Sequence, residues 1–469
     1  MNQQKSIILH SKLPSVMWQM SWPAVIAMVL YGLNNFLDGI FVGHLISNTA
    51  LAAVGIAYPL SQFAQGFGTL IGTGIGSAIS IWIGAGDQDR LNKSLGTVNF
   101  LVILFSVLVT IPCYIFAKDL VYMMGGRGEI GILAAEYFKA TILGTFFWIY
   151  GLALNMIIRA EGRMKTAAWM IAVGLVVDVI LKPVFIDTLG WGVAGAAWAT
   201  NISMVIYSVL GIWYYAGKRA SFSSKFWSWT PDKAIIKETM SLGMPGFIMM
   251  VMIVVQNIVI FNVFAKYGTD EDITFFTAVN RFYILLNTPL WGLMRALQPV
   301  AGMNYGAGKY KRTISSYRLF SLTGLCILIP FWIFIMFFPA DVLSVMLPSV
   351  KLTTIQLTDF RIYMSVLLAL PFTFMALVWF PSIENAKPAT QISLLRQVVF
   401  YIPVLLIVPR FFGVRSIYVA CAGIDWLVFF YNSFCCIQKF KKIENEFKSS
   451  LTTGFITLQL LFFTETDIL

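Results

Sequence analysis

The chain has 469 residues, 58% of them hydrophobic and 12% charged, with a mean hydropathy of +0.78. A soluble globular protein carries about 25% charged residues, so a water-soluble fold is excluded and most side chains must face lipid or other buried helices. The net charge of +11 has no long soluble segment to occupy, which excludes a basic nucleic-acid-binding face and leaves Lys and Arg clustered in loops.

Crossing about 30 Å of hydrocarbon takes about 20 apolar residues in a helix. Residues 1–14 are polar and lead straight into a full-length apolar run, unlike a cleaved signal peptide, whose apolar region is shorter. Apolar runs then predict twelve spans, at 15–43, 51–82, 94–117, 134–159, 165–187, 191–217, 236–264, 273–304, 314–338, 356–384, 388–409 and 414–437. Residues 15–217 are expected to form a first six-helix lobe and 236–437 a second, joined by a basic loop at 218–235. The tail 438–469 is basic, then apolar from Leu451 to Phe463, then acidic, and its apolar run is too short to cross. The cysteines sit mostly in apolar stretches without CxxC spacing and read as buried inert thiols.

Basic residues set the orientation. With the N-terminus inside, 21 of the 33 Lys and Arg fall at inner loops, Arg159, Arg163 and Lys165 among them, while six fall at outer loops and six within spans. Both ends of the chain are therefore expected in the cytoplasm, in a multi-pass protein of the cell (inner) membrane. The last outer loop, with Arg410 and Arg415, runs against this bias.

The chain repeats itself. A shift of 222 residues lays Pro23 on Pro245, Asn35 on Asn257, Gly84-Ala85-Gly86 on Gly306-Ala307-Gly308 and Arg90 on Arg312. Each repeat holds six spans, an even number, so both run in the same sense. A parallel repeat about an axis along the membrane normal is a pattern that transporters use to build a central site between two lobes.

Several segments taken in order resemble the multidrug and toxin extrusion (MATE) family of the MOP superfamily, in its DinF- and MepA-like bacterial branch. They are Asn35 to Gly43, Ala50 to Gly55, Arg159-Ala-Glu-Gly162, Gly192 to Thr200, Gln298 to Gly308, Arg396-Gln-Val with Pro403, and Asp425. The resemblance implies an all-α protein of twelve helices in two lobes around a cavity that opens alternately to each side. It also implies secondary active export, in which an organic cation or amphiphile leaves while a proton or a sodium ion enters.

Ionisable side chains inside a membrane are expensive and are usually functional or paired. Asp38 and Lys182 each lie about five residues before the outer end of a span running outward, hence at about the same depth. Asp178 stands one turn deeper on the Lys182 face. Tyr137 and Thr200 reach similar depths, so the five residues are expected to form one coupling cluster. Members of the resembled family keep Asp38, Tyr137 and Thr200, but show Asn-x-x-x-Asp where this chain has Asp178-Val-Ile-Leu-Lys182. An ammonium then sits where a cation would bind, so protons are expected in preference to sodium. Pro23 removes a backbone hydrogen bond and permits a kink in the first span. Tyr31, Asn34, Asn35 and Asn155 in the first lobe, and Gln256, Asn257, Asn280 and Arg295 in the second, are expected to line the substrate cavity. Arg295 is expected either to pair with Glu384 or Asp425 or to meet an anionic or zwitterionic substrate.

Other classes are weaker. Gly302 to Tyr310 has the wrong glycine spacing for a phosphate loop, and Tyr310 stands where Ser or Thr is required. The two histidines, His10 and His44, supply neither a histidine metal cluster nor a triad, so no enzyme, metal or cofactor is expected. A lipid or lipid-linked-sugar flippase of the same superfamily is the main rival, with a channel behind it. The expected partners are amphiphilic or cationic small molecules and membrane lipids, bound by a monomer.

Overall fold

The computed structural model describes residues 3–217, 219–222, 227–229, 231–344 and 352–464, with side chains up to 445 except those of 35, 36, 48, 257, 261, 265 and 270. Helix ends follow local chemistry. The Ser47 hydroxyl accepts from Ala50 N at 3.0 Å, Asp87 accepts from Arg90 N at 3.2 Å, and Thr269 and Thr353 open helices with reciprocal capping boxes to Asp272 and Gln356. Each satisfies a backbone N–H that the first turn leaves unpaired. Gly86, at φ 80°, ends one helix in the left-handed conformation that favours glycine.

Twelve spanning elements result. The first half holds α1 (Leu13–Leu45), α2 (Asn48–Ala85), α3 (Gln88–Ile115), α4 (Gly128–Leu143 and Thr145–Ala160), α5 (Met164–Thr188) and α6 (Gly192–Ala216). The second holds α7 (Lys233–Tyr267), α8 (Asp270–Gly306), α9 (Tyr310–Phe337), α10 (Thr354–Leu368 and Leu370–Trp379), α11 (Ala386–Phe412) and α12 (Ser416–Thr464). Among the described residues, all but α8 are apolar enough to cross a membrane by composition alone, counting each bent pair as one. Arg281 and Arg295 interrupt α8.

The repeat survives in three dimensions. Asn48 and Asp270, Gln88 and Tyr310, and the short helices Ala117–Met123 and Pro339–Ser344 all begin 222 residues apart. The fourth element of each half is bent, by 53° in α4 and 40° in α10. Pro23 and Pro245 both stand inside continuous helices. At the ends of the chain, residues 3–10 form a short helix and the last helix runs on to Thr464.

The halves meet at the end of the molecule that carries the N-terminus, and they meet through glycine. A Cβ on Gly84 would lie 2.3 Å from Met303 O, and one on Gly306 would lie 2.0 Å from Ile81 O. These are the same contact seen from each half, since 84 and 306, like 81 and 303, are one repeat apart. Gly74 and Gly243 make a second such crossing, on Thr239 O and Leu70 O. Small residues let helix backbones approach this closely in a membrane. The N-terminal helix covers the seam. Ile8 is fully buried against the Gly162 turn of the first half, while Lys309 donates to Leu9 O at 2.8 Å and Arg312 to Ile8 O at 3.0 Å from the second.

Candidate functional site

Two polar features lie between the halves and within the first. In the first half, the Lys182 ammonium on α5 sits between two carboxylates. It donates to Asp178 Oδ2 at 2.6 Å, one turn back on its own helix, and to Asp38 Oδ1 on α1. Asn34, one turn before Asp38, donates its Nδ2 to the same Asp178 oxygen at 3.0 Å. Side-chain exposure divides the trio: 3% for Lys182 and 2% for Asp178, but 31% for Asp38. The second Asp178 oxygen is buried without a partner. Two carboxylates and one ammonium leave one negative charge in a low-dielectric site, which costs several kcal/mol unless a further cation or proton joins. Asp38 is the member through which it would arrive.

Tyr137 feels the charge of both carboxylates, but its hydroxyl makes no hydrogen bond to them among the described residues. Thr200 spends its hydroxyl on Ala196 O at 3.2 Å, within its own helix. The neighbouring Asn201 ties α6 to α4, donating to Ala140 O at 2.7 Å and accepting from Trp148 Nε1 at 3.4 Å. Thus the direct contacts of the five-residue cluster reduce to Asp38, Asp178, Lys182 and Asn34.

The second feature is a cavity of about 280 Å³ between the halves. On α1, Tyr31 lines it, and Asn34 and Asp38 follow on the same face; on α5, Gly174 and Leu175 line it, and Asp178 follows. The ion cluster therefore begins about one turn beyond the cavity, roughly 5 Å along each helix. Gln298 of α8 bridges the halves here, donating its Nε2 to Thr73 O at 3.1 Å and Ser77 Oγ at 3.0 Å. Six methionines and two tryptophans make up much of the wall. Such flexible, polarizable side chains suit an adaptable apolar surface.

Of the residues expected in the cavity, Tyr31 and Arg295 line it, whereas Asn34, Asn155, Gln256 and Asn280 do not. Asn34 is turned to Asp178, and Asn155 donates to Ala167 O at 2.9 Å, joining α4 to α5. A polar residue in a span has the whole helix circumference available, and both are used for packing within one half. The side chains of Asn35 and Asn257 lie outside the described residues. Arg159, counted from sequence as an inner-loop cation, instead stands inside α4, is 4% exposed and lines the cavity.

Arg295 has neither of the carboxylate partners considered for it. Arg396 holds Asp425 through two bonds, at 2.6 and 3.2 Å, and Tyr401 adds its hydroxyl at 3.3 Å. Outside the spans, Glu161 in the turn after α4 is 1% exposed and accepts from Tyr215 and Tyr214 hydroxyls at 2.7 and 3.1 Å and from Ser221 N at 2.6 Å. Burial pushes its carboxyl above the usual range. The turn is thereby stitched to the end of α6.

A model of the MatE family matches residues 23–184 and 245–407, one match in each half and in step with the repeat. Multidrug export protein MepA of Staphylococcus haemolyticus is 27% identical over 305 residues, which is 64% of this chain and 66% of that protein, just under two thirds of its length. MepA of Staphylococcus aureus strain MRSA252 is 24% identical over 428 residues, 90% of this chain and 91% of that one. A crystal structure of MATE in the bent conformation superposes with a TM-score of 0.87 at 24% identity, over 95% of this chain and 99% of that one.

Proposed function

The chain belongs to the MatE family, and we propose that within it this protein is a secondary active exporter that moves amphiphilic small molecules out of the cell in exchange for protons. The name of its relatives, multidrug export protein, supports the direction of transport. The observation that carries the coupling is the shared ammonium: Lys182 pairs with Asp38 and Asp178 at once. A proton taken up by Asp38, the exposed member, cancels the residual charge and removes one of the two partners of Lys182. That loosens α1 from α5. Because α1 also packs on α8 of the other half, a local protonation reaches the boundary between the lobes. Sodium is the poorer driver, since the ammonium already occupies the position between the carboxylates.

The basic end faces the cytoplasm in this reading, with both termini there and the protein in the cell membrane. The glycine seam and the N-terminal helix close that end, which supports reading this as a state open to the outside. The test is transport in proteoliposomes loaded with cationic, zwitterionic and anionic dyes, with pH and sodium gradients imposed separately. The pH gradient drives dye movement, and Asp38→Asn abolishes it. Movement driven by sodium at constant pH, unchanged in Asp38→Asn, would refute the proton coupling.

A further inference from the structure

The cavity carries two positive charges and no negative one. Arg159 from α4 and Arg295 from α8 both line it, one from each half, and none of its lining residues is Asp or Glu. Guanidinium stays charged at any pH a protein meets. The other basic groups in spans whose contacts are described are satisfied: Lys182 by Asp38 and Asp178, Arg396 by Asp425, and Arg361 by Met336 O at 2.9 Å. Among the described residues neither Arg159 nor Arg295 has an ion-pair partner, and Arg159 Nε is buried with no acceptor. Their charges also act on each other across the lobe boundary. Two unpaired, mutually repelling cations in a low-dielectric cavity are an expensive arrangement. A ligand that brings an anion relieves it.

We propose that the cargo of this cavity carries a compact anionic head, a carboxylate, sulfonate or phosphate, clamped between Arg159 and Arg295, with an apolar body against the methionine and tryptophan wall. The inference rests on the export reading and sharpens its substrate class: the organic cation expected from the family resemblance is disfavoured here by two like charges. The guanidinium fork matches oxyanions through paired N–H bonds. Thr69, which lines the cavity with its buried hydroxyl unpartnered, supplies a further donor. An anion between the two arginines also turns a repulsion across the lobe boundary into two attractions, so cargo and lobe position are linked.

The test is dye binding to the purified full-length protein in neutral detergent, read by fluorescence anisotropy. Fluorescein supplies an anionic xanthene and rhodamine 6G a cationic one of similar shape. Fluorescein binds more tightly, and Arg295→Gln weakens it by roughly 10- to 100-fold, the range of a lost charged hydrogen bond. Arg159→Gln does the same, and Arg295→Lys retains part of the affinity. Arg295→Gln decides the matter if the deeply buried Arg159 variant fails to fold, which gel filtration shows. Tighter binding of rhodamine 6G to the wild type, or fluorescein affinity unchanged within twofold in folded Arg295→Gln, would overturn the proposal. Titration with dioctanoyl phosphatidylglycerol separates two sources of the same chemistry. Displacement of the dye assigns the site to a lipid headgroup phosphate, no displacement assigns it to a free organic anion, and both support the clamp. No gradient exists in micelles, so anion binding without proton-driven export counts against the coupling alone, and export without anion preference counts against the clamp alone.

Discussion

Replacing Lys182 by Met keeps the side-chain volume and removes the charge that two carboxylates share. Removing one partner of a buried ion pair costs about 3–5 kcal/mol, and here both Asp38 and the 2%-exposed Asp178 lose their ammonium. The loss is bounded, because a carboxylate that cannot stay charged takes a proton instead. At pH 7, protonating a group with the reference aspartate value near 3.9 costs about 4 kcal/mol, and each proton held by the folded but not the unfolded state returns about 1.4 kcal/mol per pH unit lowered. The folded variant therefore binds more protons than its unfolded chain, and its stability rises as pH falls from 8 to 5. Sodium, with the ammonium gone, becomes a competitor for the vacated position. Thermal unfolding of purified protein followed by tryptophan fluorescence, across that pH range in choline and in sodium buffers, reads all three effects. A Lys182→Met melting point equal to wild type at pH 7.5, with the same pH slope, would show that the ammonium does not hold the trio together.

The remaining predictions concern packing. Gly243→Ala places a methyl 1.9 Å from Leu70 O by ideal geometry, so the seam must part, and spin-label distances between α2 and α7 at that end lengthen. Asp425→Ala leaves the buried Arg396 unpaired and lowers the melting point by the equivalent of about 3–5 kcal/mol, more than Asn201→Ala, whose two lost bonds cost about 1–3 kcal/mol; the ranking reversed in unfolding experiments would contradict the contacts. Glu161, whose carboxyl burial pushes up, destabilises the fold progressively as pH rises from its unfolded value near 4.3 through its higher folded one. Glu161→Gln flattens that portion of the stability–pH curve, and an unchanged slope would place the titration elsewhere.

Much of the architecture was legible because the signal is coarse. About twenty apolar residues are needed per crossing, and all twelve runs became helices, some of them lengthened by caps such as Ser47 and Asp87. The register of the repeat was legible for the same reason that the structure obeys it: Gly84 and Gly306 hold equivalent backbone contacts. The bend at Gly144 was not, since no proline lies beside it, whereas the bend at Ala369 coincides with Pro371, whose missing N–H breaks the ladder there. In the site, Asp38 and Lys182 share a depth that simple residue counting finds. What counting cannot supply is azimuth. Asn34 and Asn155 were placed in the cavity because they are polar, whereas the helix turns them toward Asp178 and Ala167 O. Arg159 erred the other way: its place near a basic loop hid a side chain aimed into the cavity. Asp425 had two arginines to choose between, and only packing decides that Arg396 is the nearer.

The seam between the halves is made of main chain. Where Gly84 meets Met303 O and Gly306 meets Ile81 O, no side chain is gripped, so no rotamer is frozen on closing or released on opening. A joint of this kind resembles a hasp more than a glued surface. Its seated position is set by helix backbones. Side chains lie across it too, the N-terminal helix pinned by Lys309 and Arg312, the Gln298 bridge to Thr73 and Ser77, and the Arg90–Glu238 pair, and these supply the grip that the glycines lack. The pace of lobe exchange would thus be set in part by the eight-residue helix Gln3–His10, far from both the ion cluster and the cavity.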